Sequence, residues 1–225
     1  MDEDIKKQMM HSGTTLVGIV CKNGVVMAGD RKSTLGGQIV YQKNAKKVVQ
    51  INDYLLTSGT GSSSDIDMLQ KIIGAQLKLK QLKDKKRPTV KEAANLIANF
   101  AYSNIRQPSM IPFMAGTMVG GYNEDGTAEL YSVGPDGSLV LVEDYNANFS
   151  SGMPYVLGFL ERQYKPGLTV QEGVHLAIES IKSSSERDTA SGYGADVFTI
   201  TKEGIKQVSS IKAEAVYSEQ GTSSK

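Results

Sequence analysis

The tripeptide Gly13-Thr14-Thr15 carries the most distinctive chemistry of this 225-residue sequence. If the bond between Gly13 and Thr14 is cleaved, Thr14 has a hydroxyl and a free α-amine. Such an amine has a reference pKa of about 7.7–8.0, so near neutral pH it accepts a proton more readily than lysine. Nucleophile and base would then lie in one residue. Gly13 favours the cut, because a residue without Cβ can adopt the tight turn that lets the Thr14 hydroxyl attack the Gly13 carbonyl carbon. Taken alone, such a tripeptide usually marks only the start of a strand.

Other catalytic chemistries find little support in the sequence. The two histidines, His11 and His175, do not have the spacing of metal ligands, and the one cysteine, Cys21, lies in an apolar run. We therefore expect no zinc site and no intrachain disulfide, and we interpret Cys21 as a core residue. Neither a G-x-S-x-G nucleophile motif nor a Walker loop is present. A hydrolase built on this chain would need a base other than histidine.

Composition and charge narrow the class of protein. The sequence is 40% hydrophobic and 22% charged, with a formal net charge of +1. This balance is typical of a globular protein and gives no electrostatic reason to expect nucleic acid or a membrane surface as partner. No apolar run approaches the roughly 18 residues that span a bilayer, and the first ten residues do not resemble a secretory signal. A single cysteine suits a reducing compartment, so we expect a cytoplasmic protein.

The apolar patterns predict an α+β fold. Pairs of strands alternate with pairs of amphipathic helices, an order that indicates two packed sheets with helix pairs outside. The predicted strands are 16–21, 25–28, 47–51, 54–58, 114–121, 127–133, 138–143 and 195–201, with a short strand after Gly204, and the predicted helices are 64–82, 90–105, 153–164 and 169–186. The first two strands are apolar at consecutive positions, which predicts a sheet covered on both faces. No linker or repeat divides the chain, so we expect one domain.

Two further segments have simple structural interpretations. The run from Gly59 to Asp65 could hold a phosphate, but it lacks a P-loop lysine, and we interpret it as a loop that caps a helix through Ser64. Five lysines between positions 78 and 86 are interpreted as the solvated face of a helix rather than as a nucleic-acid site.

Six blocks in register resemble the catalytic β-type subunits of proteasomes, and the short segment before Thr14 is most similar to that of archaeal β subunits. The blocks are Gly13 to Ile19, Ala28 to Arg31, Lys46 to Ile51, Gly59 to Asp65, Ser151 to Gly158 and Arg187 to Gly192. They follow the family order and span nearly the whole chain from Thr14 onward. The resemblance implies a four-layer αββα sandwich, the N-terminal-nucleophile hydrolase fold, and a threonine peptidase that needs no cofactor and no metal.

The resemblance assigns roles residue by residue. Thr14 matches the nucleophile, and Asp30 and Lys47 match a carboxylate and an ammonium that pair beside it. A cation near the α-amine lowers the pKa of that amine, and Asp30 keeps the lysine charged and in place. Lys47 fits the role of this ammonium better than Lys46, because it is the second of the two lysines and directly precedes the β-branched pair Val48-Val49.

Further positions match the remaining parts of the family's site. Ser151, Asp188 and Ser191 match the group that holds the terminal amine and relays its proton. Gly61 matches the residue whose N–H stabilises the oxyanion. Positions of the substrate pocket fall on Ser33, Val49, Gly59, Ser63 and Asp67. Gly59 would leave that pocket wide and Asp67 would favour a basic side chain, although a neighbouring subunit normally completes the pocket. Each of these residues also has an ordinary structural explanation when considered alone.

The resemblance also predicts maturation and assembly. Residues 1–13 would be a propeptide removed by self-cleavage, 14–217 the catalytic domain and 218–225 a flexible tail. The β subunits would form a seven-membered ring within a four-ring barrel with α subunits, and an ATPase regulatory particle would bind through the α rings. The substrate would be unfolded polypeptide. Two alternatives stay open: a non-catalytic, structural β subunit, and the simpler two-ring bacterial peptidase of the same superfamily. Whether the ring contains one or two kinds of β subunit is also open.

Overall fold

The structure is a computed structural model that describes residues 13–35 and 37–213. Most of the predicted propeptide and the whole predicted tail, 218–225, lie outside the described residues. The strands are β1 (Leu16–Cys21), β2 (Gly24–Asp30), β3 (Ser33–Leu35), β4 (Ile39–Gln42), β5 (Val48–Asn52), β6 (Leu55–Gly61), β7 (Ala115–Tyr122), β8 (Ala128–Val133), β9 (Leu139–Leu141), β10 (Tyr145–Asn146), β11 (Gly194–Thr201) and β12 (Gly204–Lys212). The helices are α1 (Ser63–Asp84), α2 (Val90–Ile105), α3 (Met153–Gln163) and α4 (Val170–Ser185).

Two antiparallel five-stranded sheets form the centre of the described chain. One has the strand order β10-β1-β2-β11-β12 and the other the order β5-β6-β7-β8-β9. Strands β1 and β2 form the predicted hairpin, in register from Leu16 opposite Gly29 to Cys21 opposite Gly24. A separate two-stranded ribbon, β3-β4, leaves the first sheet just after Asp30.

Side-chain alternation along β2 shows that the first sheet is covered on both faces. Val25 and Met27 belong to a core cluster shared with Leu56 and Met118 of the second sheet. Val26 and Ala28, which point the other way, belong to a cluster with side chains of α3 and α4. A third cluster packs α1 and α2 onto the outer face of the second sheet. The layers therefore run helices, sheet, sheet, helices, which confirms the predicted four-layer fold.

The two best-defined helix starts follow from local sequence. Thr89 and Thr169 each accept a hydrogen bond from the backbone N–H three residues later, and the glutamates there, Glu92 and Glu172, bond back to the cap N–H. These capping boxes satisfy backbone donors that the first helical turn leaves unpaired. Within the described residues, no helix is long and apolar enough to cross a membrane.

Several element predictions need correction. Helix α1 has Ser62 at its N-cap without a side-chain cap bond, so the expected cap at Ser64 is wrong; Ser64 Oγ instead lies 2.9 Å from Ser62 Oγ. The ribbon β3-β4 and the two-residue strand β10 were not predicted, and β12 is nine residues long rather than short. Strand β12 is an edge strand without a fully buried residue, which is why its sequence lacks an apolar run.

Candidate active site

Asp30 and Lys47 form a buried ion pair at the end of β2. Lys47 Nζ lies 2.6 Å from Asp30 Oδ1, and the two side chains are 8% and 0% exposed. Gly29 permits this approach, because a Cβ there would lie 3.1 Å from Cβ of Lys47. The carboxylate also accepts hydrogen bonds from the backbone N–H groups of Thr15, Lys32 and Gly192. A buried charge needs such partners to offset its desolvation, so the pair is held in one geometry.

Lys47 also contacts the peptide bond that precedes Thr14. Its Nζ donates a hydrogen bond to the carbonyl oxygen of Gly13 at 3.1 Å. Burial lowers the pKa of Lys47, and the attraction of Asp30 offsets part of that effect. The lysine therefore reaches its neutral form at a lower pH than an exposed lysine does, and it is placed at the carbonyl that Thr14 would attack.

Thr14 lies between the start of β1 and the loop before α3. Its backbone N–H donates to Ser151 Oγ at 2.9 Å. Its carbonyl oxygen accepts from the N–H of Gly152 at 3.1 Å and lies 3.0 Å from Ser151 Oγ. Ser151 Oγ also lies 2.7 Å from Asp188 Oδ2. Since a hydroxyl has one proton, Ser151 donates to one of these two acceptors at a time.

Asp188 and Ser191 lie in the loop that follows α4. Ser191 Oγ donates to Asp188 Oδ2 at 2.5 Å, and the backbone N–H of Ala190 donates to Asp188 Oδ1 at 3.0 Å. Asp188 Oδ2 is therefore shared by Ser151 and Ser191. The structure thus brings Thr14, Ser151, Asp188 and Ser191 into one hydrogen-bonded group beside the Asp30–Lys47 pair.

Gly13 is required here for a steric reason that the sequence did not indicate. A Cβ at Gly13 would lie 1.7 Å from Cβ of Ala190, far inside contact distance. The loop after α4 therefore leaves room only for glycine before Thr14. Glycine at position 13 is therefore favoured both by this contact and by the tight turn that attack on its carbonyl requires.

Gly61 ends β6 with a φ of +112°, a conformation that L side chains rarely adopt. A Cβ there would lie 2.3 Å from the carbonyl oxygen of Met114. Both observations explain why this position is glycine, and the backbone is free of side-chain bulk at this point of the chain. Its part in binding an oxyanion stays a prediction.

A cleft of about 350 Å³ opens beside Thr14 and Lys47. Of the pocket positions predicted from sequence, Ser33, Gly59, Ser63 and Asp67 line it. Val49 and Gly61 are not among the lining residues within the described part of the chain; Val49 lies in β5, half-buried opposite Thr57. The side chain of Ile66 lies against Gly59, since a Cβ at Gly59 would be 2.5 Å from Ile66 Cγ2. Ile66 therefore occupies part of the width that Gly59 was expected to leave.

Sequence reasoning missed three residues of this region: Thr15, Gly152 and Ser184. Thr15 Oγ1 contacts the hydroxyls of Ser184 and Ser191 at 2.6 and 2.7 Å. A Cβ at Gly152 would lie 2.0 Å from Thr15 Oγ1 and 2.3 Å from Ser184 Oγ, so the backbone presses directly on this pair. Thr15 could have been selected from the sequence because it directly follows Thr14. Ser184 could not, because nothing in its position relative to the other site residues marks it.

The remaining reactive groups lie apart from this cluster. Cys21 is 7% exposed, and burial together with the nearby Glu172 raises the pKa of its thiol to about 12. His175 is exposed on α4. In residues 13–35 and 37–213, no group of three or more His, Cys, Asp or Glu side chains is arranged to hold a metal ion.

The four-layer sandwich, with a threonine ahead of the first strand beside a buried lysine–aspartate pair, defines the class of N-terminal-nucleophile hydrolase folds. Comparison with known proteins agrees: the family described as "Proteasome subunit" matches residues 10–200. The chain is 39% identical over 204 residues to proteasome subunit beta 2 of Pyrococcus abyssi, covering 91% of this chain and 94% of that protein. It is 38% identical over 195 residues to proteasome subunit beta 1 of Thermococcus kodakarensis, covering 87% and 92%. It is 34% identical over 207 residues to proteasome subunit beta of Methanopyrus kandleri, covering 92% and 96%. This chain belongs to the proteasome subunit family, and its relatives here are archaeal β subunits.

Proposed function

We propose that this chain is a catalytic β subunit of a proteasome core, a threonine-type endopeptidase whose nucleophile is Thr14. One observation carries the proposal: Lys47 Nζ contacts both Asp30 Oδ1 at 2.6 Å and the Gly13 carbonyl oxygen at 3.1 Å. A buried lysine with a lowered pKa thus lies at the peptide bond whose cleavage would release the Thr14 amine. Groups with a shifted pKa cluster at functional sites, so this arrangement favours a catalytic over a structural subunit.

The first reaction is self-cleavage of the Gly13–Thr14 bond. Neutral Lys47 donates to Asp30 and to the Gly13 oxygen, and its lone pair takes the proton of the Thr14 hydroxyl. Thr14 Oγ attacks the Gly13 carbonyl carbon, Lys47 passes the proton on to the Thr14 nitrogen, and the C–N bond breaks to release that nitrogen as a primary amine. Water then hydrolyses the Gly13–Thr14 ester. Residues 1–13 are released as a propeptide, and the described Gly13–Thr14 linkage corresponds to the precursor.

The second reaction is turnover of peptide substrates. The Thr14 amine, held by Ser151, accepts the hydroxyl proton through water, and Thr14 Oγ attacks the substrate carbonyl. The Gly61 N–H stabilises the oxyanion. The amine returns the proton to the leaving group, and a second water hydrolyses the acyl-enzyme. Asp188 and Ser191 keep Ser151 oriented, and the Lys47 cation lowers the pKa of the amine. No cofactor takes part in either reaction.

The proposal extends to assembly and location. Residues 14–217 act as one catalytic domain in a seven-membered β ring, stacked with α subunits in a four-ring barrel in the cytoplasm. An ATPase regulatory particle binds through the α rings and delivers unfolded polypeptide. The support for these points is membership of the proteasome subunit family.

The test is the intact mass and the peptidase activity of the subunit after assembly with an α-type partner. We expect a new N-terminus at Thr14 and hydrolysis of a fluorogenic peptide. Thr14→Ala should retain residues 1–13 and have no activity, whereas Thr14→Ser keeps a hydroxyl and should retain part of both reactions. Retention of residues 1–13 in assembled wild-type particles would favour the structural-subunit alternative, and an active Thr14→Ala variant would contradict the mechanism.

A further inference from the structure

A row of buried hydroxyl groups connects α4 to the carboxylate of Asp188. Ser184 Oγ lies 2.6 Å from Thr15 Oγ1, and Thr15 Oγ1 lies 2.7 Å from Ser191 Oγ. Ser191 Oγ in turn lies 2.5 Å from Asp188 Oδ2. Thr15 and Ser184 are 0% exposed and Ser191 is 3% exposed, so bulk water does not compete for these bonds. The three hydroxyls and the carboxylate form one continuous hydrogen-bonded series.

The direction of the protons in this series follows from counting them. Each hydroxyl has a single proton to donate. Ser191 donates its proton to Asp188, and Thr15 donates its own to Ser191. In the hydrogen bond between Ser184 and Thr15, the donor must therefore be Ser184. Every hydroxyl dipole in the series therefore points toward Asp188, an arrangement in which each bond strengthens the next.

The orientation of Ser184 differs from that of neighbouring serines on the same helix. Ser180 Oγ donates to the carbonyl oxygen of Leu176 and Ser185 Oγ donates to that of Ile181, the usual bond of a helical serine to the preceding turn. Ser184 Oγ instead points out of the helix, toward Thr15. Its carbonyl oxygen accepts from the backbone N–H of Asp188 at 2.7 Å. Ser184 thus begins the series with its hydroxyl and holds the backbone of Asp188, at the other end, with its carbonyl oxygen.

We infer that Thr15 and Ser184 are positioning residues for the terminal amine of Thr14; this inference rests on the proposed function. Their hydroxyls hold Ser191 in the orientation that donates a hydrogen bond to Asp188. The carboxylate then keeps the orientation in which it also accepts a hydrogen bond from Ser151. Ser151 is the hydrogen-bond partner of the Thr14 nitrogen. Without the bond from Thr15, Ser191 and Asp188 can reorient, and the amine is aligned for proton transfer a smaller fraction of the time.

The expected kinetic signature is a lower kcat with an unchanged KM. Neither Thr15 nor Ser184 is among the residues that line the cleft in the described part of the chain, so substrate binding does not depend on them. Thr15→Val removes the hydroxyl and retains the shape, whereas Thr15→Ser retains the hydroxyl and removes the methyl group. Ser184→Ala removes one buried hydrogen bond, and Thr15→Val removes two, of which only the bond to Ser191 leads on to Asp188. Loss of one such bond corresponds to a decrease in kcat of about three- to tenfold.

The experiment measures kcat and KM for a fluorogenic peptide in assembled particles, normalised to the fraction of subunits that intact mass shows to begin at Thr14. We expect Thr15→Val and Ser184→Ala each to lower kcat about three- to tenfold. Thr15→Ser should stay within about twofold of wild type. Because Ser184 acts through Thr15, the double variant Thr15→Val/Ser184→Ala should be no slower than Thr15→Val alone.

Ser180→Ala is the matched control. Ser180 lies one turn before Ser184, is also 0% exposed and also loses one hydrogen bond, but its partner is the Leu176 carbonyl oxygen. The kcat of the Ser180→Ala variant should stay near the wild-type value. A general destabilisation of α4 would lower the activity of Ser180→Ala and Ser184→Ala together, and this result would overturn the inference.

The remaining outcomes separate this inference from the proposed function. An active wild type and an inactive Thr14→Ala, with wild-type kcat in Thr15→Val and Ser184→Ala, would overturn the inference and leave the proposed function intact. Equal losses in Thr15→Ser and Thr15→Val would also overturn it, since packing and not the hydroxyl would then matter. A wild-type particle without peptidase activity would overturn both. Failure of Thr15→Val to self-cleave, with normal cleavage in Thr15→Ser, would support the inference.

Discussion

Lys47 Nζ lies 3.1 Å from the carbonyl oxygen of Gly13, although 34 positions separate the two residues. The contact exists because β5 begins directly after Lys47 and pairs with β6, while Gly29 leaves space for the lysine stem beneath it. Gly13 is held in turn against Ala190. The same lysine is paired with Asp30, so its ammonium or amine group has a fixed position at this peptide bond.

Replacing Lys47 should therefore stop self-cleavage. We expect Lys47→Ala to slow the appearance of the Thr14 N-terminus at least about a hundredfold, the size typical of a lost general base. Lys47→Arg should be as slow, because arginine keeps the charge beside Asp30 but does not release a proton near neutral pH. Lys46→Ala is the control, since Lys46 is exposed and lines the same cleft. Time-resolved intact mass measures all three; wild-type rates in Lys47→Arg would show that charge alone suffices.

The rate of self-cleavage should rise with pH. Burial lowers the pKa of Lys47, so its neutral form appears below the ordinary titration range of lysine. As pH rises through that lowered pKa, the fraction of Lys47 able to accept the Thr14 proton increases and then levels off. Asp30 raises the pKa of Lys47 toward its ordinary value, so Asp30→Asn should move the profile to lower pH. A rate independent of pH, or a profile that moves to higher pH in Asp30→Asn, would contradict this assignment of the base.

Much of the fold was accessible from sequence because its signals are local. The consecutive apolar positions of β1 and β2 correctly indicated a strand pair buried on both faces. The apolar spacing correctly predicted a helix over 90–105 and, to within one residue at each end, another over 169–186. The ribbon β3-β4 gave no such signal, because its side chains are mostly exposed and it packs little apolar surface. Burial creates the pattern that sequence reasoning detects, so exposed strands escape it.

The candidate site was accessible only in part. Matching motifs selected Asp30, Lys47 and Ser151 by position, but side-chain directions are not encoded in spacing. The bond between Thr15 and Ser184 joins residues 169 positions apart and depends on which way a helical serine rotates. The close approach of Gly152 to Thr15, which leaves no room for a Cβ, likewise arises only once α3 has packed on the start of β1. Contacts of this kind are set by tertiary packing, and no local pattern announces them.

Gly152→Ala should destabilise the subunit and impair its activity. The new Cβ would lie 2.0 Å from Thr15 Oγ1 and 2.3 Å from Ser184 Oγ, so the hydroxyl pair must separate. Overpacking of this kind costs about 1–3 kcal/mol in the free energy of unfolding. Gly158→Ala on α3 is the control: a Cβ there meets nothing within 4 Å, and alanine should stabilise the helix by about 1 kcal/mol. Denaturant unfolding of the free subunit measures both, and equal stability of the two variants would contradict the clash.

Cys21 should be inert in the folded chain. Its thiol is 7% exposed and its pKa is raised to about 12, so thiolate is scarce at neutral pH. A thiol-specific reagent should leave peptidase activity unchanged and label Cys21 only after denaturation. The number of thiols modified before and after unfolding provides the measurement. Inhibition that parallels labelling of the native protein would instead implicate the cysteine in function.

Asp67 should favour substrates with a basic side chain before the scissile bond. Its carboxylate lines the cleft beside Thr14, but it is exposed, and Lys46 lies in the same cleft with the opposite charge. An exposed ion pair is worth about 0.2–1 kcal/mol, so Asp67→Asn should lower kcat/KM for a peptide with arginine at that position by at most about fivefold. A matched peptide with leucine should be unaffected, and Lys46→Ala should improve the arginine peptide. Because the attraction is screened, the preference should shrink as salt is added. Equal losses for the arginine and leucine peptides would mean that Asp67 shapes the cleft rather than recognising charge.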